Sequence, residues 1–360
     1  MDAKILNRFR EAFSTRSRIL KEWLYSSDER KTHICLGLEN NISCSEEDIS
    51  ILPEIDKAIE KIDNDEFGKC TVCHEDVEPE FLEFDFTKSV CLDHYSEEEK
   101  RLLERDLEMA AKLQRQLLPH QLPSVNGLQF AVHTEAAGIV GGDYFDFFCG
   151  TNNMQGIVIA DVMGKGLPAS MLMANLQASL RILGPENENM NELAGRINEL
   201  FRFNAKLTGF ISMFIGKVNS DTGSFEYCNA GHNPPIYYRA ETGTVELLKP
   251  TGPAIGLITD SKYGLNSVKL GEGDILLLYT DGATESRNKD NQEFGIDRLI
   301  SLVKNSAEKN ADNLLSNIKD EVKSFTFGDS FDDITLLVVK KDSQPSALRR
   351  YKNTLQEPGK

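Results

Sequence analysis

Positive charge is scarce in this sequence. Its 40 Lys and Arg residues face 57 Asp and Glu, for a formal net charge of −17. A surface of that sign repels phosphate backbones and anionic headgroups, which excludes nonspecific nucleic-acid or membrane-surface binding as a primary role. No apolar run approaches the length of a membrane span. The opening residues, Met1-Asp-Ala-Lys-Ile-Leu-Asn-Arg8, lack the apolar core of a secretion signal. The seven Cys are odd in number and mostly scattered, which excludes a disulfide framework and points to a reducing cytoplasm. A chain of 360 residues that is 40% hydrophobic supports instead two or three domains with substantial cores.

Residues 1–65 read as a helical region, with one helix over Ile5 to Tyr25 and a second over Glu46 to Ile62. In the second, Ile51, Ile55, Ile59 and Ile62 fall on one face, and Ser45-Glu-Glu-Asp48 offers a capping box. A hairpin of two helices is expected. Residues 66–95 carry Cys70-Thr-Val-Cys73 and Cys91-Leu-Asp-His94. Three thiols and an imidazole suit tetrahedral Zn²⁺, and a site with all four positions filled by protein is structural rather than catalytic. Chance spacing of free cysteines is the bland alternative. The intervening Glu80-Phe-Leu-Glu-Phe-Asp-Phe86 alternates as a strand does. Cys35, Cys44, Cys149 and Cys228 lack such partners and read as buried thiols.

Residues 96–122 predict a linker helix. Ser96 followed by three glutamates is a strong start, and Pro119 ends it. Leu103, Leu107, Ala110, Gln114 and Leu117 recur at four- and three-residue spacing, a heptad seam. A parallel homodimeric coiled coil is the expectation, with Gln114 setting its register. The alternative is a helix packed on its own domain.

Residues 123–341 alternate strand and helix patterns. The run Gly156-Ile-Val-Ile-Ala-Asp161-Val-Met-Gly164-Lys-Gly166 is a buried strand reaching a carboxylate, then a glycine turn, then a helix from about Pro168. Asp274-Ile-Leu-Leu-Leu-Tyr-Thr-Asp281-Gly282 repeats that logic, and Asp332-Asp333 precede the apolar Ile334-Thr-Leu-Leu-Val-Val339. In Val140-Gly-Gly-Asp143-Tyr-Phe-Asp146, period-two alternation puts the two Asp on different faces, and Asp143 is the better site candidate. Antiparallel pairing would bring Asp143, Asp161, Asp281 and either Asp332 or Asp333 to one sheet edge. Such a cluster of like charges makes sense when hard cations neutralise it, and carboxylates select Mg²⁺ or Mn²⁺. His232, in Gly231-His-Asn-Pro-Pro235, reads as a turn residue bonded to backbone rather than a group acting on substrate. The polar tail, 342–360, is expected to be disordered.

Two resemblances add to this reading. Ile55 to Cys70 with the segment that follows looks like the C-terminal zinc finger of DksA/TraR-type proteins, with His94 where Cys is commoner. Residues 124 to 340 resemble the SpoIIE/RsbU branch of the PPM metal-dependent Ser/Thr protein phosphatases. The marks are the Asp143 and Asp161 motifs, Asn229-Ala-Gly-His-Asn-Pro234, Gly252-Pro-Ala-Ile-Gly256, Tyr279-Thr-Asp281-Gly-Ala-Thr-Glu285 and Asp332-Asp-Ile-Thr335. This resemblance implies an α+β fold, an α/β/β/α sandwich of two packed sheets flanked by helices. It also implies a two-metal centre of Mn²⁺ or Mg²⁺ whose activated water hydrolyses phosphoserine or phosphothreonine. Asp161 would bridge the metals, the Val162 carbonyl would contribute, and Asp143, Asp281 and Asp332 would complete the ligands. The implied substrate is a phosphorylated STAS-domain anti-sigma antagonist, and the preceding helix would be a dimerising switch. Two readings compete: a non-catalytic zinc-finger module docking on a transcription partner, and a hydrolase of small phosphoesters.

Overall fold

Apolar runs with no polar face mark strands covered on both sides, and the fold of residues 123–341 follows from them. The computed structural model describes residues 3–25, 50–150, 154–204, 210–258, 261–328 and 332–342. Ser45, Cys35, Cys44 and the tail from 343 onward lie outside the described residues.

Among the described residues ten strands form two five-stranded antiparallel sheets. One has the order β1 (Leu128–Glu135), β10 (Ile334–Lys341), β9 (Ile275–Tyr279), β6 (Ile236–Arg239), β7 (Thr244–Leu247). The other runs β2 (Tyr144–Cys149), β3 (Met154–Val162), β4 (Ile211–Asn219), β5 (Ser224–Ala230), β8 (Asn266–Lys269). Alternation sorts each strand between two cores. Ile157 and Ile159 of β3 meet Leu276, Leu278, Leu337 and Val339 between the sheets. Val158 and Ala160 face outward, onto helices α5 (Gly166–Glu186) and α6 (Met190–Asn204) through Met173, Leu176, Leu193 and Ile197. On the opposite outer face Leu277, Leu336 and Val338 pack on α8 (Ile296–Asn305) and α9 (Ala311–Phe325). The result is the expected four-layer α/β/β/α sandwich.

β4 and β5 form an antiparallel hairpin, its turn held by the Asn219 side chain, which accepts from the Asp221 and Thr222 amides. After Gly231 the chain crosses to the other sheet, where β6 pairs with β9. Gly231, at φ 69°, makes that turn against the Ala254 backbone, which a Cβ would meet at 2.7 Å.

Ahead of the sandwich, α1 (Ala3–Leu24) and α2 (Leu52–Asp63) pack antiparallel, as the Arg10–Asp63 and Lys21–Asp56 ion pairs show. Residues 46–49 of the expected second helix lie outside the described residues. The expected strand at Glu80–Phe86 is corrected: Pro79–Phe84 is a short helix, α3. Pro79 presets the φ of a first helical turn, and Leu82 is buried in the core with Val77. Those two outweigh a short alternation that suits either period.

The linker helix, α4 (Glu97–Leu117), carries a complete capping box. Ser96 Oγ accepts from the Glu99 amide at 3.2 Å, and the Glu99 carboxylate accepts from the Ser96 amide at 2.8 Å. Gln114, assigned above to a dimer seam, is engaged within the chain. Its Nε2 donates to the Gly141 carbonyl at 2.5 Å and its Oε1 accepts from the Gly141 amide at 3.1 Å. Leu118 packs on the sandwich core, and the large apolar residues of α4 left exposed are Leu102, Leu103, Met109 and Leu113. Among the described residues no helix is long and apolar enough to cross a membrane.

Candidate active site

Sheet pairing brings the four sequence-predicted carboxylates to one end of the sandwich. Asp161 is the penultimate residue of β3, opposite Ser212, so the strand continues one residue beyond the carboxylate at which it was expected to stop. Asp143 immediately precedes β2. Asp281 opens a one-turn helix, α7 (Asp281–Glu285), directly after β9. Asp332 lies two residues before β10, whose antiparallel register with β9 pairs Leu336 with Tyr279. One sheet thus supplies Asp143 and Asp161, and the other supplies Asp281 and Asp332.

Burial and mutual repulsion act together on these acids. Burial first, then the Asp161 charge, pushes the Asp143 carboxyl well above the usual range. Asp161 is raised to about 7, again by burial first and then by Asp281, Asp332, Asp333 and Glu285. Asp281 is raised by burial and by Asp332, and Glu285 by burial and by Asp281. The carboxylates sense one another without converging to ligand distance. Among the described residues, only a Cys/His set elsewhere brings three or more His, Cys, Asp or Glu ligand atoms within 4.8 Å of one another. Asp332 instead lies 3.4 Å from Lys165 Nζ.

The Asp332/Asp333 alternative separates clearly. Asp333 is turned inward, and its carboxylate accepts from the amides of Ala137 (2.8 Å), Gly142 (2.6 Å) and Asp143 (3.4 Å). It holds the loop that carries Asp143. Asp332 lines a pocket of about 350 Å³ beside the acids, with Lys165, Glu285, Arg287 and Asn291, whereas Asp143, Asp161 and Asp281 do not line it. Asp146 is elsewhere, as the alternation indicated. Buried beneath α5, it binds Arg181 Nε at 2.5 Å and accepts from Tyr144 Oη at 2.6 Å.

The motif glycines have distinct reasons. Gly164 and Gly166 adopt φ of 100° and 69° in open space, so conformation demands them. Gly141, Gly142 and Gly282 are demanded by closeness: a Cβ would lie 2.4 Å from Asp333 Oδ2, 2.8 Å from the Val162 carbonyl and 2.1 Å from the Asp333 carbonyl respectively. At Gly282 backbone meets backbone and nothing can yield. Gly282→Ala is expected to destabilise the domain by about 3 kcal/mol, the upper end for forced overpacking. Urea unfolding measures it, and a loss under about 0.5 kcal/mol, the noise level of a surface change, would mean the strand ends open freely.

Sequence reasoning missed several supporting groups. Thr280 is fully buried, donates to Asp143 Oδ2 at 2.8 Å and accepts from the Thr335 amide at 2.8 Å. Thr335 in turn meets Thr134 at 2.9 Å. Both Thr sit in the quoted motifs, one residue before Asp281 and two after Asp333, which is the signal available. The Asn229 and Gly252 motifs carry no carboxylate and instead secure the crossover. Asn229 Oδ1 accepts from the His232 amide, and the Gly256 amide donates to Asn198. His232 is buried, with Nδ1 2.8 Å from Ser212 Oγ and backbone hydrogen bonds at Tyr279 and Ser212, and burial lowers its pKa to about 4, so it is neutral.

A profile of the SpoIIE family (stage II sporulation protein E) matches residues 152–342, more than half of the chain. The chain belongs to the SpoIIE family. IcfG of Synechocystis sp. is 31% identical over 266 residues, covering 66% of this chain and 42% of that protein. The phosphoserine phosphatase RsbU of Bacillus subtilis is 28% identical over 239 residues, 66% of this chain and 71% of RsbU. The phosphoserine phosphatase RsbP of the same organism is 29% identical over 187 residues, 50% of this chain and 45% of RsbP. The chain thus spans less than half the length of IcfG and RsbP. The SpoIIE-family assignment agrees with solved folds. The RsbU and RsbW domains of a Mycobacterium tuberculosis protein superpose with a TM-score of 0.58 at 25% identity, covering 67% of this chain and 70% of that one. The SiaA-PP2C domain of Pseudomonas aeruginosa gives 0.60 at 20% identity, covering 68% and 99%. The sandwich is therefore a PP2C-type, PPM-family fold.

Proposed function

We propose that this chain is a metal-dependent phosphatase that removes phosphate from serine or threonine of a regulatory protein. The observation that carries this reading is the carboxylate set drawn from both sheets, raised in pKa by burial and by one another. The names of RsbU and RsbP, phosphoserine phosphatases, support it. PPM-family phosphatases use Mn²⁺ or Mg²⁺, and the donors here fit such ions: oxygen ligands only, crowded with like charge. Asp143, Asp161, Asp281 and Asp332, with the Val162 carbonyl, would hold two of them. When bound, such ions lower the pKa of water and neutralise charge on a phosphate.

The chain's own groups do the rest. Asp333 and Thr280 fix Asp143 in place, and the three close-packed glycines let the two strand ends approach. Lys165 Nζ, at the mouth beside Asp332, is positioned to meet the anionic phosphate of a bound phosphoprotein. The substrate under this reading is a phosphorylated STAS-domain regulator met in the cytoplasm. Residues 1–65, 66–95 and 96–122 form the regulatory portion ahead of the phosphatase domain, 123–341. Homodimerisation through α4 would use its exposed Leu102, Leu103, Met109 and Leu113.

Release of phosphate from a phosphoserine STAS-domain protein, with and without Mn²⁺, tests the proposal. Metal-dependent release is expected. Hydrolysis of aryl phosphates alone would favour a small-phosphoester hydrolase. Folded, metal-loaded protein inert on every phosphoester would favour a binding module. Light scattering on the same sample checks the dimer.

A further inference from the structure

The ligand atoms that do converge lie outside the carboxylate site. Cys70, Cys73, Cys91 and His94 each offer one donor atom, and the four lie within 4.8 Å of one another. We propose that these residues form a closed Zn²⁺ site, and that this ion is the staple on which the N-terminal module, described over residues 3–25 and 50–95, depends for its fold. The proposal is independent of the phosphatase reading.

The backbone around the four is built to point them inward. Gly68 at φ 69° and His74 at φ 65° flank the first pair, two left-handed residues enclosing a tight turn. The His74 amide donates to the Cys70 carbonyl at 2.9 Å, and the Cys70 amide to the Glu75 carbonyl at 2.8 Å. The Val72 amide approaches Cys70 Sγ at 3.4 Å, the contact a thiolate acceptor makes at the head of such a turn. The second pair sits on a single 3₁₀ turn, Leu92–His94, whose first amide is capped by the Glu78 carboxylate at 3.1 and 3.3 Å. The Thr71 amide donates to the Ser89 carbonyl at 2.7 Å and draws the two pairs together.

The sulfur spacing fits one shared ion. Cys73 Sγ and Cys91 Sγ are 3.6 Å apart. A disulfide would need about 2.05 Å. A tetrahedron with Zn–S bonds of about 2.3 Å has an edge of ~3.8 Å. Three thiolates and an imidazole select zinc over the hard ions suited to the carboxylate cleft. With four protein ligands no position remains open for substrate, so the role is structural.

The dependence of the fold follows from what surrounds the site. Cys70 and Cys91 are themselves core residues, packed with Phe9, Phe13, Phe67 and Leu82. Between Phe67 and Tyr95 the described regular structure is a six-residue helix, one 3₁₀ turn and the isolated bridge Lys69–Asp76. So little ladder, with two left-handed residues, does not hold itself, and small cores of this kind rest on metals or disulfides.

Metal analysis of the full-length chain, purified without added zinc and dialysed against EDTA, tests this. One zinc per chain is expected, unchanged in Asp161→Asn. Zinc should fall at least fivefold in Cys73→Ser and His94→Ala and be restored in His94→Cys, where a thiolate replaces the imidazole. Stripping the ion with a mercurial should abolish a separate thermal transition of the N-terminal module, and Zn²⁺ but not Mn²⁺ should restore it. Should the Cys variant fail to fold, Co²⁺ replacement in the wild-type chain decides: tetrahedral visible bands with thiolate charge transfer are expected. Zinc content that follows Asp161 rather than Cys73 and His94, an octahedral cobalt spectrum, iron in place of zinc, or melting indifferent to zinc would each overturn the proposal.

Discussion

Asp161→Asn is expected to abolish phosphatase turnover while stabilising the metal-free domain. Asp161 stands where burial and four neighbouring acids all oppose its charge, and its pKa of about 7 is the result. Removing that charge relieves repulsion on Asp143, whose pKa is itself raised by Asp161. It also deletes a carboxylate that would hold the ions, and losing one such charge-stabilising group costs on the order of 10³-fold in turnover. Phosphate release on the STAS-domain substrate and thermal melting in EDTA measure the two halves together. Activity retained within tenfold would remove Asp161 from the chemistry. An unchanged melting temperature would mean that the carboxylates are hydrated enough not to repel.

The pH dependence gives the same repulsion a sign. Asp161 has a folded pKa of about 7 against an ordinary 3.8, so the metal-free folded state holds the extra proton. Its contribution to stability is full below about pH 4 and is lost as pH rises through 7. The metal-free domain should therefore melt lower at pH 8 than at pH 5.5, and Asp161→Asn should flatten that difference. Bound Mn²⁺ requires deprotonated carboxylates and binds only the folded state, so saturating metal should reverse the slope. A metal-free melting temperature that rises with pH would contradict the assignment.

Much of the sandwich was legible because its strands are buried on both faces. Gly156–Ala160, Ile275–Tyr279 and Ile334–Val339 read as apolar runs whose ends carried Asp161, Asp281 and the Asp332–Asp333 pair, while Asp143 stood out by its two preceding glycines. Antiparallel pairing alone then predicts that the end of β9 meets the start of β10, as it does. What sequence did not reveal is which of two adjacent acids turns inward. Asp332 and Asp333 have the same chemistry, and only the position of the Gly141–Asp143 loop, some 190 residues earlier in the chain, decides between them. Gln114 was hidden for the same reason. Its heptad position is real, but its partner is the Gly141 backbone, a contact no local pattern encodes. At Glu80–Phe86 an alternation of six or seven residues served helix and strand equally well, and Pro79 with the burial of Leu82 decided it.

Asp333→Ala is expected to cost about 3 kcal/mol or more, since it leaves the Ala137 and Gly142 amides without their acceptor at roughly 1–3 kcal/mol each. Neighbouring Asp332→Ala should change stability by under about 1 kcal/mol, because its ion pair with Lys165 is half exposed. The activities should separate in the opposite sense. Asp332→Ala, folded, should lose turnover and the response to added Mn²⁺. Asp333→Asn keeps one acceptor oxygen for Gly142, and should fold with a weakened domain and retain metal-dependent turnover at reduced kcat. Urea unfolding and Mn²⁺ titration of activity on the three variants distinguish a ligand from a loop anchor. If Asp333→Ala folds normally yet no longer responds to Mn²⁺, while Asp332→Ala remains active, the two residues exchange roles. The loop carrying Asp143 would then be held by Thr280, Thr335 and Gln114.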